Sequence, residues 1–278
     1  MQLQRAFLNI FLNKVKLKIG IFDSGIGGFT ILNSLQKTRK DVEVFYLADT
    51  KRIPFGNKKY KEIRVIAKEI CAFFQDKNLD ALLIACNTTN ACALDILENN
   101  LSIPCFDLIN SVSETVNKQI IGVLATKTTV RSLYYENALS SKKNNLKIFQ
   151  QECPEFVSEI EKEKLNFDKL DYLSELYLRP LLNRNIEELI LGCSHYPLIY
   201  DFLRKKVDSN IKIIDPAEAL IKKFNRTFTN SKKDCHESLS NEYIKFFVTS
   251  EKDEFFKKVK FWLGINKEIR LVNLRSIV

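Results

Sequence analysis

The 278-residue chain contains only two histidines, one tryptophan, one methionine, six prolines and eight glycines. One histidine stands next to a cysteine, Cys235-His236, in a polar stretch, and no Cys-x-x-Cys spacing occurs, so a zinc site is not expected. Seven cysteines are an odd number without paired spacing, which excludes a disulfide framework and points to reduced thiols in the cytoplasm. Every apolar run falls well short of the ~20 residues of a membrane-spanning helix. Residues 1–16 are mildly basic and apolar but lack a small-residue cleavage site, so they read as a mobile leader rather than a signal peptide. A Gly-x-Gly-x-x-Gly dinucleotide fingerprint is missing: Asp23-Ser24-Gly25-Ile26-Gly27-Gly28 has the wrong spacing and suits a carboxylate-binding turn better. The net charge of +9 is spread over scattered lysine pairs with no basic stripe interleaved with aromatics. It reads as solvated surface, with neither nucleic acid nor membrane as a partner.

What the chain does have is a buried strand that ends in chemistry. Leu79–Ala93 reads LDALLIACNTTNACA: an acidic turn residue, five apolar residues, then Cys86, Asn87, Thr88 and Thr89. A short continuous apolar run fits a strand covered on both faces of a parallel sheet. Asn and Thr are good helix N-caps. Cys86 then lies at a strand's carboxyl end beside a helix N-terminus, where open α/β sheets bind ligands and the helix dipole favours a thiolate. Taken alone, an unpaired cysteine there is more often a small core hydrophobe.

A second stretch repeats the first. Ile186–Pro197, IEELILGCSHYP, matches Leu79–Asn90 by residue type, with Cys193 standing 107 residues after Cys86 and Gly192 in place of Ala85. Ile19–Ser24 matches Ile121–Thr126 at a shift of 102. Two strand-ends recurring in the same order suggest a duplicated α/β half. Strands alternating with helices predict two similar, pseudo-symmetric, three-layer α/β domains with parallel-rich sheets and an active site in the cleft between them. Residues 17–110 and 213–265 form the expected first domain with Cys86, 111–212 the second with Cys193, and 266–278 a tail. A helix is expected over 91–97, another from about Thr129 to Leu139, and an acidic one carrying Glu159 and Glu161.

A duplicated fold with one thiol per half can place two acid/bases on opposite sides of one carbon. One removes a proton while the other delivers one to the opposite face, which inverts a stereocentre. Thiols have an ordinary pKa of ~8.5, adjustable by neighbours. Ser24, Asn87, Thr88 and Ser194 supply donors for carboxylates and for the developing charge.

With these residues in view, DSGIGG at 23–28, ADTKRIPFG at 48–56, ACNTT at 85–89 and LGCSHYP at 191–197 resemble, in order and spacing, the four signature blocks of the glutamate racemases. The resemblance extends over roughly 17–225; aspartate racemases share the two-cysteine logic but lack DSGxGG. It implies a cofactor-independent, cytoplasmic, homodimeric enzyme that interconverts L- and D-glutamate and supplies D-glutamate for peptidoglycan. It assigns Cys86 to the α-proton of D-glutamate and Cys193 to that of L-glutamate, with Asp23, His195 and Glu161 assisting. Its substrate contacts are Asp23, Ser24, Phe55, Gly56, Asn87, Thr88, Ser194 and His195.

Three departures from the family pattern stand out. Pro54-Phe55-Gly56 replaces Pro-Tyr-Gly, Ser194 replaces the threonine after the second cysteine, and Asp107–Ser111 differs from the usual hinge segment. Other readings are a racemase or isomerase of another small diacid such as aspartate, a thiol hydrolase needing a single nucleophile, and a basic nucleic-acid binder with steep salt dependence.

Overall fold

A computed structural model describes residues 16–228 and 239–274. The expected leader, apart from Lys16, the Cys235-His236 pair and the last four residues lie outside the described residues.

The chain is built on two wholly parallel sheets. The first half alternates β1 (Leu17–Asp23), α1 (Phe29–Thr38), β2 (Val42–Ala48), α2 (Tyr60–Gln75), β3 (Ala81–Ile84), α3 (Asn87–Asn100), β4 (Cys105–Asp107) and α4 (Leu108–Ser113). The second alternates β5 (Ile120–Ala125), α5 (Lys127–Arg131), α6 (Tyr134–Lys142), β6 (Lys147–Glu152), α7 (Phe156–Ile160), α8 (Phe167–Leu182), β7 (Glu188–Gly192), α9 (Tyr200–Lys206) and β8 (Lys212–Ile214). The chain then returns through α10 (Pro216–Thr227), β9 (Ile244–Val248), α11 (Lys252–Leu263) and β10 (Ile269–Leu271).

Sheet order is β10-β9-β2-β1-β3-β4 in the first half and β6-β5-β7-β8 in the second. Without the two returning strands the orders are the same: β2-β1-β3-β4 corresponds to β6-β5-β7-β8. The register agrees as well. Phe22 pairs with Ile84 in one half, and Leu124 with Leu191 in the other, the residues 102 and 107 further on. The central strands are apolar runs because helices cover both faces; β3 and β7 are buried throughout. On α2, Ile63, Ile66, Ala67, Ile70 and Phe74 recur at three- and four-residue spacing and form the buried face.

Several local expectations differ from the structure. The helix after Cys86 starts at Asn87 rather than Ala91, because Cys86 itself takes the extended N-cap conformation. The helix after Thr126 is broken at Leu133, whose φ of 56° ends one helical segment and begins the next. Within the stretch read as a tail, Ile269–Leu271 adds a strand beside β9. Lys212–Ile214 belongs to the second sheet, so the chain leaves that sheet two residues later than expected. Among the described residues no helix is long and apolar enough to cross a membrane.

Candidate active site

The carboxyl ends of the central strands from both sheets meet, as expected for ligand sites in open parallel sheets. Asp23 ends β1, Cys86 follows β3 by two residues, Thr126 follows β5 and Cys193 follows β7. The thiols are nearly buried, 4% exposed at Cys86 and 5% at Cys193. The Cys86 thiol lies 3.9 Å from the Ser24 hydroxyl. Cys193 Sγ lies 3.8 Å from Nδ1 of His195. Between them, the Ser194 hydroxyl donates to Asp23 Oδ1 at 2.8 Å, while the Gly25 N–H holds Oδ2 at 2.8 Å. Asp23-Ser24 beside one thiol is thereby tied to Ser194-His195 beside the other, across 171 residues of sequence.

Glu161 completes the second cluster. It caps the carboxyl end of α7, and its Oε1 meets His195 Nε2 at 2.7 Å and accepts the Ile26 N–H at 2.9 Å. Its Oε2 pairs with Lys258 at 2.9 Å. Burial pushes the Glu161 carboxyl up, but His195, Lys258 and the Ile26 N–H outweigh it and hold the group at about 2. Burial disfavours charge on His195 too, yet its contacts with Cys193 and Glu161 carry the imidazole well above its ordinary value. The arrangement holds an imidazolium between the Glu161 carboxylate and the Cys193 sulfur.

The first cluster behaves differently. Burial, helped by the charge of Asp23, pushes the Cys86 thiol up to about 12, and charge on Cys193 adds to the rise. The helix N-terminus beside Cys86 does not prevail, because a desolvated sulfur beside the Asp23 carboxyl loses more than one helical turn can return. Burial also raises Asp23, partly offset by His195 and by the bonds from Gly25 and Ser194.

The remaining binding candidates line the same junction. The hydroxyls of Thr88 and Thr126 are 3.0 Å apart, as are those of Thr126 and Thr129, so one hydroxyl cluster spans the two halves. Gly56 lies against it: a Cβ there would come within 2.5 Å of Thr126. Asn87 is buried, and its Oδ1 accepts from Tyr135 at 2.7 Å. Phe55 presents no polar group; its buried ring packs against Phe22 at 6.3 Å. The charged part of the same loop is spent on structure, since Asp49 is bound by Arg52 and Thr249 and Arg52 also pairs with Glu69.

Four residues at the site escaped sequence reasoning. Thr126 had a signal, because the duplication aligns it with Ser24. Gly27 had a weaker one in its glycine-rich turn; a Cβ there would fall 2.2 Å from Ser194 Oγ and 2.7 Å from His195 Nδ1. Tyr135 and Lys258 had none, the latter hidden among lysine pairs read as surface although its side chain is only 13% exposed.

Known proteins resemble this chain along nearly its whole length. A glutamate racemase of Prochlorococcus marinus (strain NATL1A) is 46% identical over 261 residues, 94% of this chain and 98% of the relative. The crystal structure of a glutamate racemase isoform from Bacillus anthracis superposes with a TM-score of 0.85 at 28% identity, covering 94% of this chain and 99% of the other. The glutamate racemase of Francisella tularensis subsp. tularensis SCHU S4, solved in complex with D-glutamate, gives 0.84 at 31% identity, covering 95% and 100%. Residues 30–224 match the Asp/Glu/Hydantoin racemase family. With that match over most of its length and relatives this similar end to end, the chain belongs to the Asp/Glu/Hydantoin racemase family.

Proposed function

We propose that this enzyme interconverts L-glutamate and D-glutamate without a cofactor, using Cys86 and Cys193 as two acid/bases. One observation carries the reading: the same strand register, repeated in two sheets, brings one thiol per half to a shared junction. Cys193, as thiolate beside the His195 imidazolium, takes the α-proton of L-glutamate. The electron pair left on Cα then takes a proton from the Cys86 thiol on the opposite face, giving D-glutamate. The reverse reaction starts from a Cys86 thiolate and a Cys193 thiol and ends with a Cys86 thiol and a Cys193 thiolate. A Cys86 thiol held at about 12 suits the donor role. In the reverse direction the substrate's ammonium group, drawn to Asp23, lowers the cost of a thiolate at Cys86. Asp23 and the His195–Glu161 pair assist the two thiols, and Ser24, Asn87, Thr88, Ser194 and the Phe55-Gly56 backbone hold the carboxylates.

Nothing favours aspartate over glutamate, since the relatives matched along their whole length are glutamate racemases. In this reading D-glutamate feeds peptidoglycan synthesis, and the enzyme works as a homodimer in the cytoplasm, where unpaired thiols stay reduced. The test is racemisation of each pure enantiomer of glutamate by protein treated with a chelator and a carbonyl-trapping reagent. Full activity is expected. Activity that vanishes and returns only with a metal or pyridoxal phosphate overturns the thiol-only mechanism, and no activity on either enantiomer overturns the substrate.

A further inference from the structure

The residue after each thiol is gripped from the opposite half. Ser194, after Cys193, donates to Asp23 of the first half. Asn87, after Cys86, accepts from Tyr135 of the second half, on α6. Asp23 belongs to the site already described, whereas Tyr135, whose phenol lies near enough to Cys193 to feel its charge, has no role yet. It is fully buried, and its hydroxyl reaches Asn87 Oδ1 at 2.7 Å. Burial, with charge on Cys193, pushes the phenol well above 10, so it remains a hydrogen-bond donor.

Two further observations show that the place is made for this ring. A Cβ on Gly192 would come within 3.0 Å of Tyr135 Cε2, as well as 2.7 Å from the Leu124 carbonyl oxygen. The matching position in the first half is Ala85, so the second half has a smaller residue where the ring passes. In addition, Asn87 Nδ2 is buried and has no hydrogen-bond partner among the described residues, an expensive state for an amide donor. A phenol can donate or accept, but a buried O–H needs an acceptor. Were the amide turned over, its NH2 would face Tyr135, whose O–H would lose its acceptor, and the amide oxygen would be left unpaired, repelling a carboxylate. With the oxygen fixed on Tyr135, the NH2 is the free group.

We propose that Tyr135 is a positioning residue that fixes the Asn87 carboxamide from the opposite half, leaving its NH2 to receive a carboxylate oxygen of the substrate. The inference rests on the glutamate reading above. It makes donor placement depend on the two halves being together, because the orienting hydroxyl and the oriented amide sit on different halves.

The experiment is D-glutamate binding by calorimetry to the wild type, Tyr135→Phe, Asn87→Ala and the double variant, with thermal melts as a folding control. Tyr135→Phe is expected to weaken binding about tenfold and Asn87→Ala at least as much, the loss of a hydrogen bond to a charged group. The double variant is expected to bind no more weakly than Asn87→Ala alone, because Tyr135 acts only through that amide. Losses that multiply in the double variant, or a Tyr135→Phe protein that binds like the wild type, overturn the proposal. Asn87→Asp is a second route that does not depend on the phenylalanine variant folding. It keeps an acceptor for Tyr135 but replaces the NH2 with an anionic oxygen, and should bind D-glutamate more weakly than Asn87→Ala. Wild-type affinity in Asn87→Asp overturns the proposal. A wild-type protein that neither binds nor racemises glutamate instead removes the functional reading, and this inference with it.

Discussion

Replacing Glu161 with Gln tests whether the buried pair beside Cys193 is electrostatic or merely steric. Gln has nearly the same shape and keeps a carbonyl for the Ile26 N–H, but it cannot carry charge opposite His195 and Lys258. Burial raises the Glu161 carboxyl, and its partners bring it from 4.5 down to about 2 after that cost is met. A fall of that size favours the ionised form by roughly 3 kcal/mol, which Glu161→Gln forfeits. The pH dependence follows from both partners. The contribution seen at Glu161 is complete above its unfolded value of 4.5 and is lost as pH falls through about 2. The contribution seen at His195, whose folded value is raised, is complete below its unfolded 6.5 and is lost as pH rises through that folded value. Both include the Glu161–His195 pair, with Lys258 adding at Glu161 and Cys193 at His195, so the variant should be most destabilised between pH 4.5 and 6.5, with a smaller difference on either side. Denaturant unfolding of both proteins across a pH series measures it. A difference that stays flat with pH, or remains below about 0.5 kcal/mol throughout, would refute the charge-pair account. Racemisation by the variant should also fall, by about ten- to a hundredfold, as His195 loses the counter-ion of its cationic form.

Cys86→Ser and Cys193→Ser should each lower racemisation by about 10²–10⁴-fold while circular dichroism stays native, because a serine hydroxyl is too weak an acid for either transfer. Near-wild-type inversion by either variant rules out the two-base assignment. Gly27→Ala should abolish most activity, since the new Cβ would displace Ser194 Oγ and His195 Nδ1 from 2.2 and 2.7 Å. The accompanying stability loss should be about 1–3 kcal/mol by chemical denaturation, and an active Gly27→Ala enzyme would show that the Asp23–Ser194 tie is dispensable. Phe55→Tyr should change kcat/KM by only about 0.5–1.5 kcal/mol, the value of a single hydrogen bond. A hundredfold change in steady-state assays would give the ring position a role that its packing on Phe22 does not suggest.

Much of the fold was readable from local pattern. Val42–Ala48 and Ile120–Ala125 are legible as strands because a strand buried on both faces writes its length as a mostly apolar run. The break at Leu133 was not readable, since Thr126–Leu139 has neither proline nor glycine to mark it. The short β10 was missed as well, because three residues at a sheet edge carry too little periodicity to register.

The same division runs through the site. The sequence by itself determined which residues end the buried strands, that the pattern occurs twice, and that each copy ends in a thiol followed by two polar residues. Chain-local rules suffice there, because side-chain period and helix capping depend on neighbours a few residues away. Only the tertiary structure decided which groups act on one another: Ser194 with Asp23 across 171 residues, Lys258 with Glu161 across 97, and Tyr135 with Asn87 across 48. It also reversed the expectation for the Cys86 thiol, which the helix N-terminus favours as an anion and burial holds neutral. Solvation and cross-half pairing depend on how two sheets close over a shared junction, and no stretch of sequence contains that geometry.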